Sequence, residues 1–400
     1  MKGGIWLGDA YDAAIERIKA QGGDKSRLGM EALMWISYAE RLLSADELCC
    51  ALAIKLGSTD FNAGNVPSMR SLVSYCQGLI TVDKEASTVR LIHLTLKEYI
   101  SAHPDIFSRP HSEMAEICST YLNSEQVMAV PANHYIGLPE NSFLQYSSLY
   151  WGVHAKRELS DYARSLALGL LQEYDGHIST KFLLKQVKGS DLRSFGPNFR
   201  FSGLYCASFF GIVELVAALI EMGCYDVNER DLGGYTPLLY AVQYGHEEVV
   251  GILLGQEEVN PDKSDTYGGT PLSYAAWGGN EGVVKILLGR KEVDPNKPDN
   301  CGQTPLSYAT WDGHEGVVEI LLGREAVNPD KPDNDGRTPL SYAAQSGHEG
   351  VVEILLGREE VNPDKPDNDG LTPLMFAAKH GHEGVIALLR LYEDAAHSVI

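Results

Sequence analysis

TPLSYAAQSGHEGVVEILLGREEVNPDKPDNDG, residues 338–370, has close copies on both sides, and its reading decides the fold. The threonine that opens it recurs at Thr236, Thr270, Thr304 and Thr372, a period of 34 residues without a slip. Periods of this size mark stacked supersecondary units. In register at Ser202, GLYCASFFGIVELVAALIEMGCYDVNERD keeps the apolar skeleton but lacks the Thr-Pro start, which brings the array to six units. Each reads as a turn ending in DxxGxTPL, a short helix, the break GHE, a longer helix VVEILL and an extended loop. Thr caps the first helix, and Pro is preorganised at its first position.

This pattern closely resembles the ankyrin repeat, with Ser273, Ser307 and Ser341 in place of the common histidine of TPLH. The units opening at Thr304 and Thr338 differ at five positions only: Thr310/Ala344, Trp311/Gln345, Asp312/Ser346, Ala326/Glu360 and Arg337/Leu371. The resemblance places the pairs at 311, 312 and 337 where ankyrin arrays contact partners. Tyr240, Tyr274, Tyr308, Tyr342 and Phe376 share one position that never turns polar and are expected in the core. Trp277 and Trp311 occupy a position that elsewhere holds Gln243, Gln345 and Lys379, so that position is expected to be wet. By the same comparison Tyr235, Tyr244 and Tyr267 are expected to be exposed. Trp277 and Trp311, about 10 Å apart by helix-packing distances, would anchor a partner, because exposed Trp and Tyr clusters are typical hot spots.

The 400 residues exceed one ordinary core, and 44% hydrophobic with 22% charged residues fits a globular chain. A formal charge of −21 argues against a nucleic-acid or anionic-membrane surface, which needs clustered Lys and Arg. Seven scattered cysteines without metal spacing suggest reduced thiols. With no run of 18 apolar residues and no signal-like start, a soluble protein of the cytoplasm or nucleus is expected.

In the first half, DAYDAAIERIKA, Leu28 to Leu43 and LCCALAIKL show helical spacing, the last opened by a capping box at Ser44 and Glu47. Ser68 caps SMRSLVSYCQ and Gly78 ends it; LITVD and TVRLIH, joined by KEAS, read as a hairpin before the helix LTLKEYI. These elements predict a winged-helix arrangement. YDAAIERIKAQ, ALMWISYAERLLSADELCCALAI and LIHLTLKEYI resemble the segment that follows the nucleotide-binding core in fungal NLR-like signalling ATPases of the NACHT class, where ankyrin repeats often form the C-terminal sensor. The resemblance implies that His93 matches a nucleotide-sensing histidine. Nothing fits GxxxxGK[ST], however, and Gly22-Gly23-Asp24-Lys25-Ser26 lacks the Gly-Lys pair, so the core is expected to be missing. His93 then reads as a histidine hydrogen-bonded where hairpin and helix meet. Further on, MAEICSTYLN, SFLQYSSLYWGVHAKREL, YARSLALGLLQEY and TKFLLKQV are expected as connector helices, separated by breaks at PANHYIGLPE and GSDLRSFGPNF and covering the first repeat.

Other chemistry fails on spacing. GHEGVV lacks the second histidine of a zinc protease, since Val318 and Val352 stand there. DKPDNDG is similar to a calcium loop, but Lys365 and Phe376 fall at its first and twelfth ligand positions. A catalytic pocket around His134, His154 and Glu158 is the weakest option. The expectation is a mainly α protein: an N-terminal helix (1–24), a winged-helix-like domain (25–105), a helical connector (106–200) and an ankyrin solenoid (201–400). It would be a non-enzymatic scaffold or sensor without cofactor or metal, binding a protein partner through Tyr235, Tyr244, Tyr267, Trp277, Trp311, Asp312, Arg337, Gln345, Ser346 and Lys379. The alternative is the regulatory half of an NLR-like NTPase acting with a separate nucleotide-binding core.

Overall fold

A computed structural model describes residues 4–58, 63–83, 85–130, 143–188 and 201–397. The two expected breaks at 131–140 and 189–199, and His134, lie outside the described residues. The chain forms two compact units, Met1–Gly203 and Leu204–Ile400. Both are mainly helical.

The first unit opens with α1 (Gly4–Ala20), α2 (Gly23–Tyr38), α3 (Ala45–Ala53) and α4 (Met69–Tyr75). The hairpin β1 (Ile80–Asp83) and β2 (Thr88–Leu91) pairs Ile80 with Leu91 in antiparallel register, and α5 (Leu94–Ala102) follows. The capping box is present: the Ser44 hydroxyl accepts from Glu47 N–H, and the Glu47 carboxylate accepts from Ser44 N–H. α2 stops at Tyr38, short of the expected Leu43. Leu43 instead accepts from Val89 N–H and Ser44 bridges to Thr88, so the end of that apolar run is spent on the edge of the hairpin. α6 (Pro110–Leu122), α7 (Glu125–Met128), α8 (Phe143–Arg157), α9 (Asp161–Gln172) and α10 (Ser179–Lys188) complete the unit. Its core gathers the fully buried Trp35 of α2 against Phe143 and Tyr146 of α8, with ring centroids 5.6 and 5.8 Å away.

The second unit stacks six helix pairs: α11 (Gly203–Phe210) with α12 (Val213–Glu221), α13 (Pro237–Gln243) with α14 (Glu247–Leu254), and α15 (Pro271–Trp277) with α16 (Glu281–Leu288). α17 (Pro305–Asp312) with α18 (Glu315–Leu322), α19 (Pro339–Ser346) with α20 (Glu349–Leu356), and α21 (Pro373–His380) with α22 (Glu383–His397) follow. All five landmark threonines cap their helices through the side chain. Ser273, Ser307 and Ser341 reciprocate, each accepting from the N–H of its own Thr, so serine completes a capping box. The turn tips are zipped together by main-chain bonds, with Asn300 N–H donating to Tyr267 O, Asn334 to Cys301 O and Asn368 to Asp335 O. Among the described residues no helix is long and apolar enough to cross a membrane.

Candidate partner-binding face of the repeat array

Each turn is built on one aspartate. Asp265 Oδ1 accepts from the N–H groups of Tyr267 and Gly269, both at 2.8 Å, and its Oδ2 accepts from the Tyr274 hydroxyl at 2.7 Å. Asp231 with Tyr240, Asp299 with Tyr308 and Asp333 with Tyr342 repeat the arrangement. Burial and the facing carboxylate raise the pKa of all four phenols, so each remains a donor. In the last repeat Phe376 has no hydroxyl, and Arg337 takes over: its Nε lies 3.8 Å from Asp367 Oδ2 and its guanidinium sits 5.5 Å from the Phe376 ring. The expected tyrosine core is therefore half correct, since Tyr240, Tyr342 and Phe376 are buried whereas Tyr274 and Tyr308 are only half-buried.

The position that precedes each capping threonine explains two further residues. Tyr235, Gly269, Gln303, Arg337 and Leu371 stand there in successive repeats. Tyr235 reaches the next repeat, its hydroxyl 2.6 Å from that of Tyr274. Gln303 donates to Tyr342 Oη at 2.6 Å, and Arg337 covers Phe376. Tyr235 is thus half-buried, a correction to the exposure expected for it. A column that accepts Gln and Arg is not wet for that reason, because those chains are long enough to reach the aromatic side chain of the next repeat.

The tryptophan column does behave as expected. Trp277 is 47% exposed and Trp311 44% exposed, with Tyr267 at 73% and Tyr244 at 40%. Asp312 and Lys379 are exposed; Gln345 and Ser346 are half-buried. What is fixed at this position is the main chain. The imidazole of the following GHE break donates Nε2–H to the carbonyl of Phe209 (His246, 2.9 Å), Trp277 (His314, 2.9 Å), Trp311 (His348, 2.8 Å) and Gln345 (His382, 3.0 Å). The glycine of the break is needed for the same contact: Gly313 has φ 76°, and a Cβ there would lie 2.5 Å from His348 Nδ1.

The two tryptophans are nonetheless arranged differently. Trp311 lies flat on Tyr342 of the next repeat, with centroids 5.1 Å apart and planes at 16°. Trp277 turns edge-on to Tyr274 of its own repeat, 6.3 Å away at 61°. Between the third and fourth repeats this leaves a pocket of about 190 Å³ lined by Tyr267, Gly269, Ser273, Tyr274, Trp277, Asp299 and Tyr308. Gly269 is the copy with no side chain to lay over the neighbouring tyrosine. Comparing the copies brings this column into view but not its consequence.

In the first unit, His93 caps α5: its Nδ1 accepts from Thr95 N–H at 3.2 Å and the side chain is exposed. Gly22 and Gly23 only turn the chain between α1 and α2, with φ 69° and 54°. Of the residues expected around a connector pocket, Glu158 accepts from Ser112 N–H at 3.0 Å. His154 is fully buried and meets residues the sequence did not indicate: His111 Nδ1 lies 2.9 Å from its Nδ1, and the Tyr146 hydroxyl 2.9 Å from its Nε2. Burial, with His111 and Arg157 alongside, lowers the His154 pKa to about 3, so the ring is neutral. Ligand atoms of Glu40, His111 and His154 lie within 4.8 Å of one another, but Arg157 already holds both Glu40 oxygens. A cation there would have to displace that guanidinium.

Comparison with known families agrees with both units. The profile described as GPI inositol-deacylase, winged helix domain, matches residues 16–115, the span from α1 into α6. The profile described as Ankyrin repeats (3 copies) matches 173–265, 204–299, 256–332 and 324–398, so its first span begins upstream of Ser202 within the expected connector. No curated protein matches the chain. The overlapping ankyrin spans cover more than half of the 400 residues, and with the stacked helix pairs they show that the chain belongs to the ankyrin-repeat family.

Proposed function

We propose that this chain is a non-enzymatic interaction protein that binds a protein partner through the face carrying Trp277 and Trp311. Ankyrin repeats generally mediate protein–protein interaction. The observation that carries the specific reading is the division at the tryptophan column, where the carbonyl is bonded to the next repeat while nearly half of the indole surface stays exposed. Exposed aromatic surface of this size on a fixed backbone is what a hot spot requires. The −21 charge favours a partner with a basic or mixed surface, whose association salt should slow. The test is to replace Trp277 and Trp311 by Ala, then compare captured partners and thermal melting. Loss of partners at unchanged melting supports the proposal; retained partners with lowered melting makes the tryptophans structural and refutes it.

A second reading, the regulatory half of an NLR-like NTPase, is favoured by the exposure of His93 at the N-terminus of α5 within the winged-helix match. Micromolar binding of labelled ATP or ADP by this chain alone, abolished by His93→Ala, would support it. Binding that survives His93→Ala would remove the sensing role from that residue.

A further inference from the structure

The pocket between the third and fourth repeats has walls of one chemical kind. Tyr267, Tyr274, Trp277 and Tyr308 supply aromatic surface and Asp299 supplies a negative charge. Aromatic faces carry negative quadrupole density, so such a cavity attracts a cation. The carboxylate and the hydroxyls of Ser273, Tyr274 and Tyr308 already have partners. Asp299 Oδ1 accepts from Cys301 and Gln303 N–H, and its Oδ2 from the Tyr308 hydroxyl. The Tyr274 hydroxyl is bonded to Asp265 and Tyr235, and the Ser273 hydroxyl to Thr270. An ammonium or guanidinium entering there would give up water and find few acceptors in exchange. A cation without N–H donors loses nothing by comparison.

We propose that this pocket is an aromatic cage for the trimethylammonium group of a methylated lysine on the protein partner. The proposal rests on the partner-binding reading of the Trp277 face and names what that face recognises. Three neighbouring arrangements show why the cage falls here. Between repeats two and three the space over Tyr274 holds Tyr235. Between four and five, Gln303 is bonded to the Tyr342 hydroxyl and Trp311 lies over its ring. Between five and six, Arg337 covers Phe376. Only Gly269 among these four copies offers no cover, and Tyr308 faces open space.

Ligand-observed NMR on the full chain provides the test, with Nα-acetyl-trimethyllysine amide as probe and two comparators: the unmodified lysine amide and the uncharged carbon isostere of the trimethylated side chain. The expected result is saturation transfer and upfield-shifted methyl signals for the trimethyllysine probe, with about tenfold weaker binding of both comparators. Trp277→Ala should abolish it, Trp311→Ala should not, and Gly269→Gln should block the pocket, both by its own chain and because its Cβ would meet Tyr274 Cε2 at 2.8 Å and shift that ring, each checked by thermal melting. Equal binding of unmodified lysine, equal binding of the isostere, or survival of binding in a folded Trp277→Ala overturns the cage. Should Trp277→Ala lose protein partners although the probe does not bind wild type, the partner reading stands and the cage falls. Probe binding to wild type with protein partners retained in both tryptophan variants does the reverse: the pocket holds the cation, but the face is not where the partner docks.

Discussion

Asp265→Ala is the perturbation that most directly probes the array. In a site that is 5% exposed it removes the acceptor of three donors: the N–H groups of Tyr267 and Gly269, which have no other among the described residues, and the Tyr274 hydroxyl, which keeps only the Tyr235 hydroxyl. At about 1 kcal/mol for each unpaired N–H and about 1 kcal/mol for the lost hydroxyl–carboxylate bond, the loss should be about 3 kcal/mol. Asp265→Asn keeps an oxygen for the two N–H groups and should cost about 1 kcal/mol, while in a Tyr274→Phe background the alanine change should cost about 1 kcal/mol less than in wild type. Asp367→Ala in an Arg337→Leu background is an internal control, because Phe376 offers no hydroxyl and the ion pair to Arg337 is already removed; about 2 kcal/mol is expected there from the N–H groups of Asp369 and Leu371. Urea denaturation followed by circular dichroism measures the loss, and hydrogen exchange at the Tyr267 and Gly269 amides localises it. A loss under about 1 kcal/mol for Asp265→Ala, or equal damage from Asn and Ala, would show that the carboxylate does not organise the turn.

Three other outcomes follow from the geometry. Glu47→Ala removes a buried carboxylate that serves both Ser44 N–H and the Arg41 guanidinium, and should lower stability by about 3 kcal/mol in thermal melting, with α3 amides losing protection first. His348→Ala should cost about 1 kcal/mol in urea denaturation and open the stack beside Trp311, read as a red shift of tryptophan emission. His154, with a folded pKa of about 3 against 6.5 ordinarily, binds its proton more readily once unfolded; its contribution to stability is complete above about pH 6.5 and is lost as pH falls from there towards 3. Melting at stepwise lower pH should therefore fall less steeply in His154→Gln than in wild type, by up to about 1.4 kcal/mol per pH unit.

Local signals are the legible ones. The threonine caps, the Ser44–Glu47 box and the exposed tryptophans can be read because each depends on spacing of a few residues or on comparing copies within one chain. Trp277 is recognisably wet because Lys379 stands at the same position in the last repeat. Tyr235 escapes the same rule, since substitution by Gln or Arg reports length and polarity but not the neighbouring ring those chains reach. Leu43 looks helical because apolar spacing does not announce a main-chain partner 46 residues away at Val89. The Glu40, His111 and His154 cluster is invisible for a related reason, as only the packing of α6 against α8 brings those imidazoles together. The pocket is subtler still, because it depends on a glycine, and a missing side chain carries no chemistry of its own until the walls around it are known.

The histidine that holds the carbonyls of Trp277, Trp311 and Gln345 also separates inheritance from invention. Because the clamp belongs to the following copy and grips only main chain, an exchange at any of those three residues leaves that hydrogen bond in place, whatever it does to the packing of the side chain itself. Any copy that carries the histidine thus fixes the backbone at one position of the copy before it. A library randomised at those three sites would be expected to keep the clamp throughout and to vary in stability chiefly at 311, where the indole also rests on Tyr342.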